Sequence, residues 1–315
     1  MSQSHLDGTI GRRIRAAARL GISVNYFQTL YDLGLRLLTA DQGSELGRLT
    51  THSGHSGEEA STIIRSAILQ RTMPGEDPST RWGILRVLMR NLVNRAYPPM
   101  PALNMLGLLN TISSDAALQD DLSRTQALAT AVAGNARLNQ SLQAVLQHDR
   151  VPGANGDYVE WLSGRIAEYR DTLVENIDPD SILGQLRHIA SDHATRIPNV
   201  GIALAANLFA DLGIRAVGKP DLHVRPTVAG LLGIRTINPE ACIREVIRIS
   251  QHDAILIKVS GQFGWLDGGL FPRDVDRMIY LIGSDNFRLD GTRRRTCAPM
   301  RRQLMLEELR GAACQ

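Results

Sequence analysis

Two stretches decide how this chain is read: Arg196-Ile197-Pro198-Asn199-Val200-Gly201 and, further on, Lys219-Pro220-Asp221-Leu222-His223-Val224. Around the first, apolar periodicity predicts a helix from Ser181 to about Thr195. It predicts a second helix carrying Leu204, Ala205, Leu208 and Phe209 to about Leu212. Pro198 and Gly201 turn the chain sharply between them. The opening amides of the second helix are then left without intrahelical partners, beside the positive end of its dipole. A phosphate binds at such a place without any basic side chain. Contact of this kind ignores base sequence, so it positions a nucleic acid rather than reading it. Ala205 and Ala206 keep the second helix slim enough for close packing.

In the second stretch, Asp221 reads as the N-cap of a third helix that runs to about Leu232 and is stopped by Gly233. Capping and catalysis are compatible roles, because a capping carboxylate is held in one orientation. Pro226 falls in the first turn, where amides lack intrahelical partners anyway. His223 reads as a packed or hydrogen-bonded residue rather than a general base.

Outward from these segments the chain reads as helix after helix. Apolar periodicity begins near Thr9 and again over Tyr26–Leu38. The Ser/Gly-rich loop Thr51–Gly57 leads into the capping box Ser56-Gly57-Glu58-Glu59 and a helix to about Arg71. A helix is predicted over Trp82–Arg95, and Pro98-Pro99-Met100-Pro101 is the strongest break of the first half. After the turn Pro152–Gly156, a long helix is predicted over Tyr158–Asn176, with Leu162, Ile166, Tyr169 and Leu173 on one face. The expected organisation is an N-terminal helical region (1–100), a core (101–290) and a basic tail (291–315). Within the core lie the turn segment (181–213) and the Asp221 segment (219–233). His52 and His55 lie in a loop with no further ligands nearby, so they read as exposed rather than metal-binding.

Composition agrees with an all-α chain. Hydrophobic residues make up 43% of the 315 and aromatics only 4%, which suits aliphatic helix-on-helix packing. The formal charge is +3, so total charge neither demands nor excludes nucleic acid. Its distribution says more: six arginines stand between Arg288 and Arg302 against Asp290 alone, a cluster able to neutralise phosphates. The lysines are Lys219 and Lys258. Cys242, Cys297 and Cys314 are odd in number and far apart, so they form no disulfide framework and no CxxC metal pair. No stretch resembles a signal peptide or a membrane span, and a reducing cytosol is the expected compartment.

These residues resemble a known family. Ile197-Pro198-Asn199-Val200-Gly201 looks like the hairpin of the helix-hairpin-helix DNA glycosylases, whose usual form is Leu-Pro-Gly-Val-Gly. Asp221-Leu222-His223-Val224 resembles the family's catalytic Asp-x-His-Val segment. Ala203 stands where bifunctional members carry a lysine, at the typical distance from the aspartate. Pro272–Gly283 resembles the closing helix, so the likeness covers about residues 181–287.

The resemblance implies a multi-helix glycosylase fold with the active site in a cleft between two helical subdomains. Asp221 would be catalytic. Asn199, Gly201, Ala203, Lys219, Arg225, Arg293, Arg294 and Arg295 are the expected DNA contacts. The backbone carbonyls of Thr195, Ile197 and Val200 would hold a monovalent cation, potassium or sodium. Two departures matter. Asn199 replaces the first hairpin glycine, which asparagine's tolerance of left-handed backbone permits. Ala203 removes the Schiff-base nucleophile, so water must attack instead. The family's iron–sulfur cluster is excluded by the cysteine spacing, and no diffusible cofactor is implied.

The expected activity is monofunctional: a flipped-out base is released by hydrolysis of its N-glycosidic bond, and an abasic site remains. Repair of alkylated or deaminated bases and defence against phage DNA with modified bases both fit such chemistry. The expected partner is duplex DNA, with no membrane and a monomeric state. A non-catalytic DNA-binding module would keep Gly201 and the arginine cluster without needing Asp221. A helical protein–protein adaptor would need neither.

Overall fold

A computed structural model of the chain describes residues 79–93, 102–151, 156–170, 172–231, 234–251 and 271–283. The expectations placed on residues before 79, on the proline cluster at 98–101, on Lys258 and on the Arg288–Arg302 cluster lie outside them. Among the described residues every regular element is helical and no strand occurs. In chain order the helices are α1 (Arg81–Asn91), α2 (Ala102–Ser114), α3 (Asp121–Val132), α4 (Ala136–Leu146), α5 (Tyr158–Arg170) and α6 (Pro179–Ala190). They continue with α7 (Ile202–Asp211), α8 (Val224–Leu231), α9 (Pro239–Ser250) and α10 (Pro272–Gly283), and a 3-10 turn at Val174–Asn176 precedes α6. The described residues fall into two compact units, one comprising those up to 172 with 180–214, the other 173–179 and those from 215 onward.

In the first unit α1 is the central element, packed against α2, α3, α5 and α7. Although it carries Arg81, Arg86, Arg90 and Asn91, its Ile84, Leu85, Val87, Leu88 and Met89 are all buried. Burying such side chains contributes roughly 1.5–3 kcal/mol each. Thr80 starts the helix by accepting the N–H of Gly83 at 3.0 Å, a cap that the predicted start at Trp82 misses. A polar cluster ties α1 to α7, with the Nδ2 groups of Asn91 and Asn207 donating to Asp211 Oδ2 at 3.1 and 2.8 Å. Buried Asp157 caps α5, accepting the amides of Val159 and Glu160 at 3.0 and 3.1 Å, and the Arg81 guanidinium donates to both its oxygens. That guanidinium supplies the counter-charge without which a buried carboxylate would be costly.

Two predicted helices end early. α5 stops at Arg170 instead of running to Asn176, and Leu173, expected on the apolar face, is exposed. Thr172 Oγ1 donates to the Glu168 carbonyl at 3.0 Å, satisfying a helix-end acceptor that a further turn would have used. α6 stops at Ala190 instead of about Thr195. Asp192 diverts the chain: its Oδ1 accepts the amide of Ala194 at 2.9 Å, and its carbonyl accepts those of Thr195 and Arg196. α7 ends as its sequence suggests, with Gly213 at φ 88° while Ile214 N–H returns to Phe209 O at 3.0 Å.

In the second unit α8, α9 and α10 pack on one another. α9 begins with Asn238 capping the amide of Ala241 at 2.8 Å and Pro239 in the first turn. Its buried side includes Cys242, Ile243, Val246 and Ile247, and α10 buries Val275 and Ile279 one turn apart. Gln251 Nε2 donates to the carbonyls of Val174 and Ile177 at 3.1 and 2.8 Å, fastening the 3-10 segment to the end of α9.

Candidate functional site

The approach to Asp221 is built from a buried strip. Ala216, Val217, Gly218 and Pro220 are buried, whereas the Lys219 and Asp221 side chains keep 23% and 17% exposure. Asp221 Oδ1 accepts the amides of His223 and Val224 at 2.8 and 3.0 Å, and its carbonyl accepts that of Arg225 at 3.1 Å. The aspartate is therefore the N-cap of α8, as its sequence position suggests. Oδ2 faces Lys219 Nζ at 3.6 Å. The carboxylate is fixed at one oxygen and offers the other beside a cation.

Around it, Leu222 is 75% exposed. The His223 ring stands edge-on to Tyr280 at 5.4 Å, in keeping with a packed residue. Arg225, expected to touch DNA, donates from Nε and Nη2 to the Ile237 carbonyl at 3.0 and 2.8 Å and so closes the loop after α8.

Sequence reasoning did not find Asp276. It is buried on α10, its Oδ2 takes Arg273 Nη1 at 2.9 Å, and its Oδ1 has no hydrogen-bond partner among the described residues. The backbone N–H of Lys219 also donates to this carboxylate. Burial pushes its pKa up to about 6, against the pull of Arg273, with the nearby Asp221 charge adding to the rise. Gly218 is the reason α10 comes this close. A Cβ there would stand 2.9 Å from Asp276 Cβ and from Val246 Cγ1. Burial pushes the neighbouring Cys242 thiol up to about 12, so it is no thiolate nucleophile at neutral pH.

The Pro198–Gly201 turn belongs to the first unit. Asn199 takes a left-handed φ of 63°, the conformation its side chain was expected to tolerate. Gly201 is the N-cap of α7 with no side-chain cap, and it is exposed, as is Asn199, while Ala203 is half-buried. A Cβ at Gly201 would meet nothing within 4 Å among the described residues, and its φ is −98°. The fold of the described residues therefore does not require glycine here.

The turn is held from α4 and the residues after it. Ser141 Oγ donates to Pro198 O at 3.2 Å, and Arg150 donates to Thr195 O at 3.2 Å and Arg196 O at 3.0 Å. A hollow of about 580 Å³ opens beside it, with Gln140, Gln143, Gln147, Arg150 and Pro198 in its wall. Of the carbonyl-bearing residues expected to hold a cation, Thr195, Ile197 and Val200, all three are buried. Ile197 O accepts Val200 N–H at 3.2 Å. Among the described residues no group of three or more His, Cys, Asp or Glu gathers as a metal site, and no helix is long and apolar enough to cross a membrane.

Comparison of the chain with families of known proteins, with curated proteins and with solved structures returned no match.

Proposed function

We propose that the protein is a monofunctional DNA glycosylase that uses Asp221 to release a base from its sugar. The observation that carries this reading is the Asp221 carboxylate itself. It is pinned at Oδ1 by two amides, partly open to solvent, and flanked by Lys219 and an exposed leucine. Loss of a base from its sugar builds positive charge at C1′. A fixed anion stabilises that charge without reorganising, and its second oxygen orients or deprotonates the attacking water. Lys219 supplies a counter-charge able to meet the phosphate on either side of an extruded nucleotide.

The turn at Pro198–Gly201 supports DNA as the partner. None of the described residues comes within 4 Å of a Cβ placed at Gly201, so the missing side chain leaves room there for a group from outside. A phosphate beside the first amides of α7 matches that space and the helix dipole. The products would be a free base and an unbroken abasic strand, since Ala203 offers no nucleophile.

The test is a panel of duplexes, each with one alkylated, deaminated or bulky modified base, incubated with the full-length protein and treated with alkali. Breaks at the modified position support the reading and name the substrate class. Tight binding to DNA with no alkali-labile site on any duplex would instead favour a non-catalytic binding module. Absence of DNA binding would remove both.

A further inference from the structure

We propose that the guanidinium of Arg150 takes the place of the monovalent cation at the Pro198 turn, so that DNA engagement by this turn needs no bound metal ion. The inference rests on the glycosylase reading, which is what raises the question of a cation there. The Thr195 carbonyl does not fit such an ion. Thr195 O accepts Arg150 Nε at 3.2 Å and also lies against the Tyr158 hydroxyl, which reaches His188 O at 2.7 Å as well. A carbonyl oxygen has two lone pairs; Arg150 engages one on Thr195, and the single Tyr158 hydroxyl hydrogen is shared between the Thr195 and His188 carbonyls. Burial pushes the Tyr158 phenol up to about 12, so it remains a donor throughout the neutral range. A metal ion at this oxygen would displace one of these donors and sit against a permanent positive charge.

Arg150 does the work of the ion by geometry. Its planar fork reaches two successive carbonyls, Thr195 O through Nε and Arg196 O through Nη2 at 3.0 Å, while Nη1 is steadied by Gln147 Oε1 at 2.7 Å. One cation thus closes the chain just before the turn. Lysine could not reproduce this, because its ammonium is a point charge rather than a fork.

The experiment follows the affinity of the intact protein for a labelled duplex in potassium, sodium and N-methylglucamine chloride at matched ionic strength. Thermal unfolding is recorded in the same three salts. The wild type should bind alike in all three, within about twofold, and unfold at one temperature. Arg150→Met should bind about tenfold more weakly, because a hydrogen-bonded charge is lost from the turn. A wild-type affinity or unfolding temperature that falls when the metal ions are replaced would overturn the proposal, and that arm requires no variant. If the protein binds no DNA in any salt, the glycosylase reading fails. The unfolding arm still decides for or against Arg150 in that case.

Discussion

Lys219 Nζ stands 3.6 Å from Asp221 Oδ2, while the other oxygen of the same carboxylate is engaged by the amides of His223 and Val224. The two oxygens have separate duties. One holds the start of α8, and the other keeps its charge available beside a cation. This division lets stability and chemistry be separated by substitution. Asparagine caps helices about as well as aspartate, so Asp221→Asn should unfold within about 0.5 kcal/mol of wild type, whereas Asp221→Ala should lose about 1 kcal/mol. Urea denaturation of the three proteins checks the ordering. A large loss in the asparagine variant would mean that the Lys219 pair, not the cap, holds the segment.

The two glycines should respond in opposite ways to added side chains. Gly218→Ala pushes a methyl into Asp276 and Val246 and should cost roughly 1–3 kcal/mol, because α10 and α9 must both give way. Gly201→Ala meets nothing among the described residues and should fold normally. Gly201→Glu should also fold but bind every DNA sequence more weakly, since it sets a like charge before the phosphate. Melting temperatures and anisotropy titrations distinguish these cases. Normal DNA binding by Gly201→Glu would remove the turn from the interface.

Asp276 gives stability a pH dependence of unusual sign. Its folded pKa of about 6 lies above the ordinary carboxylate value, so near pH 5 the folded protein holds a proton that the unfolded chain releases. The stabilising contribution is complete below about pH 4 and is lost as pH rises through about 6, a change of up to about 3 kcal/mol. Asp276→Asn should flatten that part of the curve of denaturation midpoint against pH. A wild-type midpoint that rises from pH 4 to 6, with the variant unchanged, would contradict the burial account.

Leu222 should matter to DNA and not to the fold. With three-quarters of its surface exposed, it contributes little to the core, and Leu222→Ser should leave the unfolding temperature unchanged. Its loss should slow base release by roughly tenfold, the effect of about 1.4 kcal/mol at the transition state. Single-turnover kinetics on the substrate duplex would decide, and an unaltered rate would free Leu222 of any role.

What was legible in the sequence was local. Pro198, Asn199 and Gly201 announce a turn through their own backbone preferences, and Asp221 announces a cap. The structure bears out the left-handed Asn199 and the capped α8. The closing segment Pro272–Gly283 is a helix with the expected bounds. The helix ends of α5 and α6 were misjudged because Thr172 and Asp192 offer the backbone side-chain or turn partners that periodicity does not register. The pairings that shape the two sites were not legible at all. Arg150 meets Thr195 across 45 residues and Arg81 meets Asp157 across 76, and no short motif marks either partner. No short motif pairs Gly218 with Asp276 either.

The most direct test of the central claim is the rate of base release by Asp221→Asn on whichever duplex the wild type attacks, followed under single-turnover conditions beside a DNA-binding titration. The account predicts that release falls by at least about a thousandfold, the scale on which a fixed charge acts in a transition state, while affinity is kept or slightly improved by loss of a negative charge near phosphates. Base release by the folded variant at the wild-type rate would contradict it.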